Sequence, residues 1–299
     1  MMGPLAMWVL SLASTVPDAG APASLSPAPV ASPVASPVAT CAGWRAAEVA
    51  VKGSIAASLG AALGEDGSQV AAHFARIFMW DLDLRKDVVA GDRLMLLWRR
   101  TDAGDVEIGA ARYQSVRLGR ALRAHRFKAA EDDFPSYWDP EGQEVARRLK
   151  ATPLASYEQI TALLKDRPTH RGMDFKAAVG TEVKAPRPGT ISRVNWKLRG
   201  NGNCLEMRFD DGTVAKFLHL SAIKARRGAR VRAGEVIALT GNTGRSTAPH
   251  LHYQLERGPR TVDPVDYHGT LQRRLPPAEV ASLQAQMQAL AQSCGPRAP

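Results

Sequence analysis

From about residue 176 onward the chain consists of short alternating segments cut by glycine turns, a texture that admits few folds. CLEMRF and TVAKFLHL flank Asp211-Gly212, a dipeptide suited to a tight hairpin turn. Leu205, Met207 and Phe209 alternate with polar neighbours, as a half-buried strand requires. Pro188-Gly189 and Gly241 to Gly244 supply further turns, so this part is expected to be an all-β unit.

The chain upstream is built differently. Residues 5 to 14, LAMWVLSLAS, resemble the apolar region of an export signal, although no Lys or Arg precedes them. Residues 17–42 are rich in Pro, Ala and Ser, a composition that buries no core and reads as a linker. In residues 43–150, Ile55, Leu59 and Leu63, then Val70, Phe74, Ile77 and Phe78, fall at spacings of three and four. The spacing predicts two short amphipathic helices, followed by a strand at LMLLW and another around Val106 to Val116. After the β unit, Val280, Leu283, Met287 and Leu290 predict a terminal helix that starts near Pro277 and packs on the domain. The expected order is a signal in residues 1–16, the linker, a smaller mixed α/β domain in 43–150, a mainly β domain in 151–276, and a helical tail in 277–299.

Composition removes several classes. Three cysteines without a C-x-x-C cannot make a disulfide framework, a zinc finger or a thioredoxin-type redox motif. If the protein is exported, Cys41 and Cys294 could pair, and two unpaired thiols are an equal expectation. The longest apolar stretch, Pro4 to Val16, is too short for the roughly 20 residues of a membrane-spanning helix, so no transmembrane anchor is expected. The formal net charge of +10 lies in the second half, where 23 Lys and Arg face 12 Asp and Glu from residue 150 onward. That surface suits an acidic partner such as a carboxylate-rich wall polymer. Its densest group, Lys224 to Arg232, lacks interleaved aromatics, and no nucleic-acid role is expected.

Four of the seven histidines fall in or just before the β unit: His170-x-x-x-Asp174, His219, and His250-x-His252. Imidazole and carboxylate are natural zinc ligands, and a catalytic site needs three of them with one position left for water. Each fragment alone is a weak signal. If HLHYQL is a strand, however, residues two apart share a face, and His250 and His252 enter one site. His73, His125 and His268 stand alone and read as structural or exposed. The competing nucleophile is Cys204, whose alternation with Leu205 would point it away from the core, but no neighbour is evident to lower its pKa.

In order, THRGMDF, GTEVKAPRPGTI, NGNCLEMRFDDGTVAKFLHLS, RRGARVRAGEVIALTGNTGRSTAPHLHYQ and TVDPVDY resemble the lysostaphin-type (LytM) zinc peptidases of bacterial cell-wall remodelling. The resemblance runs from about Pro168 to Tyr267. It implies a mainly β C-terminal peptidase domain, a compact antiparallel β fold with an open zinc groove, preceded by the smaller mixed α/β domain. It implies His170, Asp174 and His252 as ligands of one Zn2+ and His219 and His250 as the catalytic pair. More loosely, FARIFMWDLDL, GDRLMLLW and ALRAHRF resemble the LysM-like regulatory or targeting domain of Gram-negative murein DD-endopeptidases. That subgroup implies peptidoglycan stem peptides as substrate, cut at the D-alanyl to diaminopimelate crosslink by metal-activated water, in a periplasmic or wall-associated protein. The alternative is a catalytically silent relative that binds wall or activates an amidase, a class that loses zinc ligands. Ala248, Tyr253 and Gln254 depart from the family's usual Gly, Phe and Glu, and the arginine-rich loop before the first motif is missing.

Overall fold

The computed structural model describes residues 39–41, 43–166, 169–295 and 299; the expected signal and almost all of the expected linker lie outside them. The chain runs β1 (Ala39–Cys41), β2 (Trp44–Ala50), α1 (Ile55–Leu63), α2 (Gly67–Phe78), β3 (Arg93–Arg100), β4 (Val106–Ser115), β5 (Arg120–Phe127) and β6 (Ser136–Trp138). It continues through β7 (Arg148–Leu149), β8 (Gln159–Ala162), β9 (Met173–Lys176), β10 (Glu182–Lys184), β11 (Gly189–Val194), α3 (Leu198–Asn201), β12 (Asn203–Phe209) and β13 (Val214–Leu220). The remaining elements are β14 (Ala222–Ile223), β15 (Arg230–Val231), β16 (Val236–Leu239), β17 (His250–Arg257), β18 (Arg260–Val262), α4 (Pro264–His268), β19 (Thr270–Leu271) and α5 (Pro277–Cys294). Among the described residues no helix is long and apolar enough to cross a membrane.

β1 to β6 form an antiparallel sheet in sequence order. Its two faces are covered by different parts of the chain. α1 starts where the Ser54 hydroxyl accepts a hydrogen bond from the Ala57 N–H, a side-chain N-cap. With α2 it buries Leu59, Phe74 and Phe78 against Leu94, Leu96 and Trp98 of β3. The helical spacing read from the sequence therefore faces the strand that follows it.

The terminal helix is placed differently from the expectation. α5 does not pack on the strands it follows. Val280, Leu283 and Met287 lie with Trp138, Ala129 and Leu275, and Leu290 lies with Ala46, Leu97 and Ala110 on the other face of the N-terminal sheet. Leu97 points opposite to Leu96, as alternate strand residues must, so the sheet has two apolar faces and needs both layers of helix. A disulfide between Cys41 and Cys294 fixes the end of α5 to β1.

The second sheet runs β15-β11-β12-β13-β17-β9-β8 with β18 on β17, beside a small sheet β10-β16-β14. β9, which carries Asp174, ends at Lys176, where the expected all-β texture begins, and β8 closes that edge of the sheet. β12 and β13 form the expected hairpin, with Gly212 at φ 84° and the Asp211 carboxylate accepting from the Thr213 N–H. Leu205, Met207 and Phe209 are buried as predicted. Cys204 is buried too, because the register shifts between Asn203 and Leu205 and the irregularity breaks the alternation. Met79, just past α2, also lies in the core of this sheet, which ties the two sheets together.

The isolated histidines are structural, and none is exposed. His73, His125 and His268 are each pushed down to about 4, first by burial, with Arg neighbours adding to it. Between about pH 4 and 6.5 the unfolded chain binds protons that the folded chain refuses. Their contribution is thus intact above pH 6.5 and is lost as pH falls toward 4, by at most about 3 kcal/mol per group. Melting curves across that window should show a falling midpoint, and His125→Leu should flatten the fall; equal slopes in both proteins would remove His125 from this effect.

Candidate metal centre

Three neighbouring strands build the site. In the β9–β17 ladder His252 lies directly opposite Asp174, and His250 opposite Lys176; in the β13–β17 ladder His252 lies opposite Leu218. The period of two along β17 puts His250 and His252 on one face, the face that receives Asp174. His170 comes from the turn before β9. Gly172 permits that approach, because a Cβ there would lie 2.4 Å from the Tyr253 carbonyl oxygen and 2.9 Å from His252 Nε2.

The five residues singled out in the sequence converge. His170 Nε2 lies 3.1 Å from Asp174 Oδ2, and His252 Nδ1 lies 2.8 Å from Asp174 Oδ1. Ligand atoms of these three residues lie within 4.8 Å of one another. The His219 and His250 ring centroids are 4.8 Å apart, and His250 Nε2 is 4.0 Å from Asp174 Oδ1. The donor set and its spacing fit one small cation with a tetrahedral preference, such as zinc at about 2.0–2.2 Å from each ligand.

Backbone carbonyls orient the rings. His170 Nδ1 is 3.0 Å from the Leu163 carbonyl, His219 Nδ1 is 2.9 Å from that of Thr243, and His250 Nδ1 is 2.8 Å from that of Ala248. A carbonyl only accepts, so each Nδ1 carries a proton; at His219 and His250 this leaves the Nε2 lone pair to the site, whereas His170 Nε2 faces the Asp174 carboxylate. His219 adopts φ 65°, in the left-handed region that a non-glycine residue rarely enters, at the end of β13. Burial lowers its pKa and favours the neutral ring. Burial alone would raise the Asp174 carboxyl, but hydrogen bonds with His170 and His252 outweigh it and hold the group well below the usual carboxylate range.

Cys204 is excluded as a nucleophile by its placement. Its sulfur accepts from the Trp196 N–H and donates to the Trp196 carbonyl, and burial pushes the thiol up. The departures at β17 have their own partners. The Tyr253 hydroxyl pairs with His268 Nε2 at 2.8 Å, and Gln254 turns its amide oxygen toward His252 Nε2 at 3.5 Å and donates to Glu256. The orienting carbonyls of Leu163, Thr243 and Ala248 were missed from sequence, since a backbone acceptor has no residue-type signature.

Residues 168–264 match the sequence profile of Peptidase family M23. Peptidoglycan DD-endopeptidase ShyC of Vibrio cholerae is 29% identical over 204 residues, covering 63% of this chain and 46% of the relative. A solved zinc-containing peptidase from Vibrio cholerae is 27% identical, with 78% of this chain and 72% of that chain covered and a TM-score of 0.36. The catalytic domain of the prophage-encoded M23 protein EnpA from Enterococcus faecalis is 32% identical over 37% of this chain and 91% of that one, with a TM-score of 0.34. The chain spans about half the length of the curated relatives it matches. By the profile match over residues 168–264, this part of the chain belongs to Peptidase family M23.

Proposed function

We propose that the protein is a zinc-dependent endopeptidase that hydrolyses peptide crosslinks of bacterial peptidoglycan, at the bond between D-alanine and diaminopimelate. The observation that carries the reading is the convergence of His170, Asp174 and His252 with two further imidazoles, His219 and His250, on one face of three strands. A catalytically silent relative would have no need to keep both sets. The names of the Vibrio cholerae relatives, peptidoglycan DD-endopeptidases, support the substrate class.

His170 and His252 would hold the ion as neutral imidazoles and Asp174 as a carboxylate. When bound, zinc lowers the pKa of a water to about 7 and polarises a scissile carbonyl. The remaining chemistry belongs to the protein. No glutamate base of the H-E-x-x-H type exists in this sequence, and the Nε2 lone pairs of His219 and His250 are the available proton acceptors. Once protonated, the same Nε2 becomes a donor for the developing oxyanion or the departing amine. With the ring centroids 4.8 Å apart, either Nε2 can take the proton released by the attacking water and then return that proton to the departing amine.

The Cys41–Cys294 disulfide supports an exported protein, since such bonds persist in oxidising compartments. A periplasmic or wall-associated location follows from the substrate. The N-terminal part, read as regulatory or targeting, supplies a wall of the groove that holds Asp174 and His250. Digestion of purified crosslinked peptidoglycan, with mass analysis of the fragments, tests the reading. Crosslinked dimers should disappear while glycan strands stay intact; shortened glycans, or no release by a zinc-loaded protein, would sink it.

A further inference from the structure

A groove of about 570 Å³ runs from Asp174 and His250 to α2 and the residues just past it. Most cations along it have a carboxylate partner. Arg126 meets Glu107 at 3.0 Å, Arg148 meets Glu144 at 2.9 Å, Lys176 meets Glu158 at 2.7 Å, and Arg147 meets Asp81 at 3.4 Å. Arg76 on α2 differs. Among the described residues it makes no ion pair and no hydrogen bond, although it is half-buried and desolvation lowers its pKa. A guanidinium withdrawn from water without a counter-charge carries an uncompensated cost, and a bound anion would remove it.

A second observation falls on the same wall. Buried polar atoms of three residues lining this groove find no partner: His73 Nδ1, one turn before Arg76, together with Thr101 Oγ1 and Arg147 Nε. Orphaned groups are uncommon in a folded interior, and their concentration along one groove marks a place where a polar ligand completes the hydrogen bonding. From the cation left over and the orphaned groups around it, we infer that the α2 wall is a substrate subsite in which Arg76 binds a free carboxylate of the peptide whose amide lies at the metal centre.

The inference rests on the proposed peptidase reading and names the feature of the substrate that the groove recognises. A planar guanidinium suits a carboxylate through paired N–H donors, whereas an amide in its place offers no charge and turns donors toward the cation. Stem peptides carry free carboxylates, so the contact would select both the peptide class and its register relative to the scissile bond. The N-terminal part thereby contributes recognition to the site.

Binding to the full chain provides the test, read by calorimetry with a stem tetrapeptide in its free-acid form and with its carboxyls converted to amides. The native chain should prefer the free acid by about tenfold or more. Arg76→Gln should bring the ratio to about one, and Arg76→Lys should retain part of it. Arg260→Gln, an exposed cation on β18 outside the groove, should keep the native ratio and so control for net charge. Melting midpoints identify any variant that fails to fold, with Arg76→Met as the replacement. No preference in the native chain, or an unchanged preference in folded Arg76→Gln, overturns the subsite. Because binding is read without cleavage, a preserved preference in a protein that releases no crosslinks would sink the peptidase reading alone, whereas cleavage without preference would sink the subsite alone.

Discussion

His252→Ala and Asp174→Ala should each yield a folded protein that no longer retains zinc, and crosslink cleavage should vanish with the metal. His252 and Asp174 are directly opposed across the β9–β17 ladder, and Asp174 faces both His170 and His252. Removing His252 leaves two protein ligands; removing Asp174 takes away the only anion in the donor set. Loss of an outer-shell partner typically costs roughly 10 to 100-fold in metal affinity, and loss of a direct ligand should exceed that. Neither side chain belongs to the apolar core that Phe175, Leu251 and Tyr253 help to form, so the fold should survive truncation outside that core. Elemental analysis after gel filtration, beside turnover, decides the matter. One zinc per chain retained by both variants would place the metal elsewhere.

The parts of this arrangement legible in the sequence were those that depend on residue type and period. The H-x-H on an alternating segment required both rings on one face, and β17 delivers them there. The Asp211-Gly212 turn set the β12–β13 register because a tight turn leaves the flanking strands little freedom. Elsewhere a local pattern was compatible with several tertiary solutions. The stripe from Val280 to Leu290 identifies a helix but not its partner, and only the assembled sheet, with Leu97 and Ala110 uncovered on one face, explains why α5 crosses to it. The register shift at Asn203 and Leu205, which buries Cys204, has no compositional mark. The same holds for the positive φ of His219 and for the contact of its ring with the Thr243 carbonyl, 24 residues away. Ligand candidates could thus be named from sequence, while their orientation is a tertiary property.

His250→Ala should behave in the opposite way to the ligand variants: full zinc content and native fold, with turnover reduced by roughly 10² to 10⁴, the usual worth of a positioned acid or base. The geometry separates the two histidines. His252 Nδ1 is 2.8 Å from Asp174 Oδ1, within the ligand cluster, whereas His250 Nε2 stands 4.0 Å away and outside that cluster. The Ala248 carbonyl holds the proton on His250 Nδ1 and leaves Nε2 free to accept one. His219, oriented in the same way by Thr243, should lose a comparable factor as His219→Ala. The double variant should fall well short of the product of the two losses, since rings that share one proton inventory act as a unit. Zinc content measured beside turnover for these three variants and for His252→Ala distinguishes the roles. Metal lost from His250→Ala but kept by His252→Ala would exchange the two assignments, and near-native turnover in His250→Ala would remove it from the chemistry and leave His219 as the sole acid–base candidate.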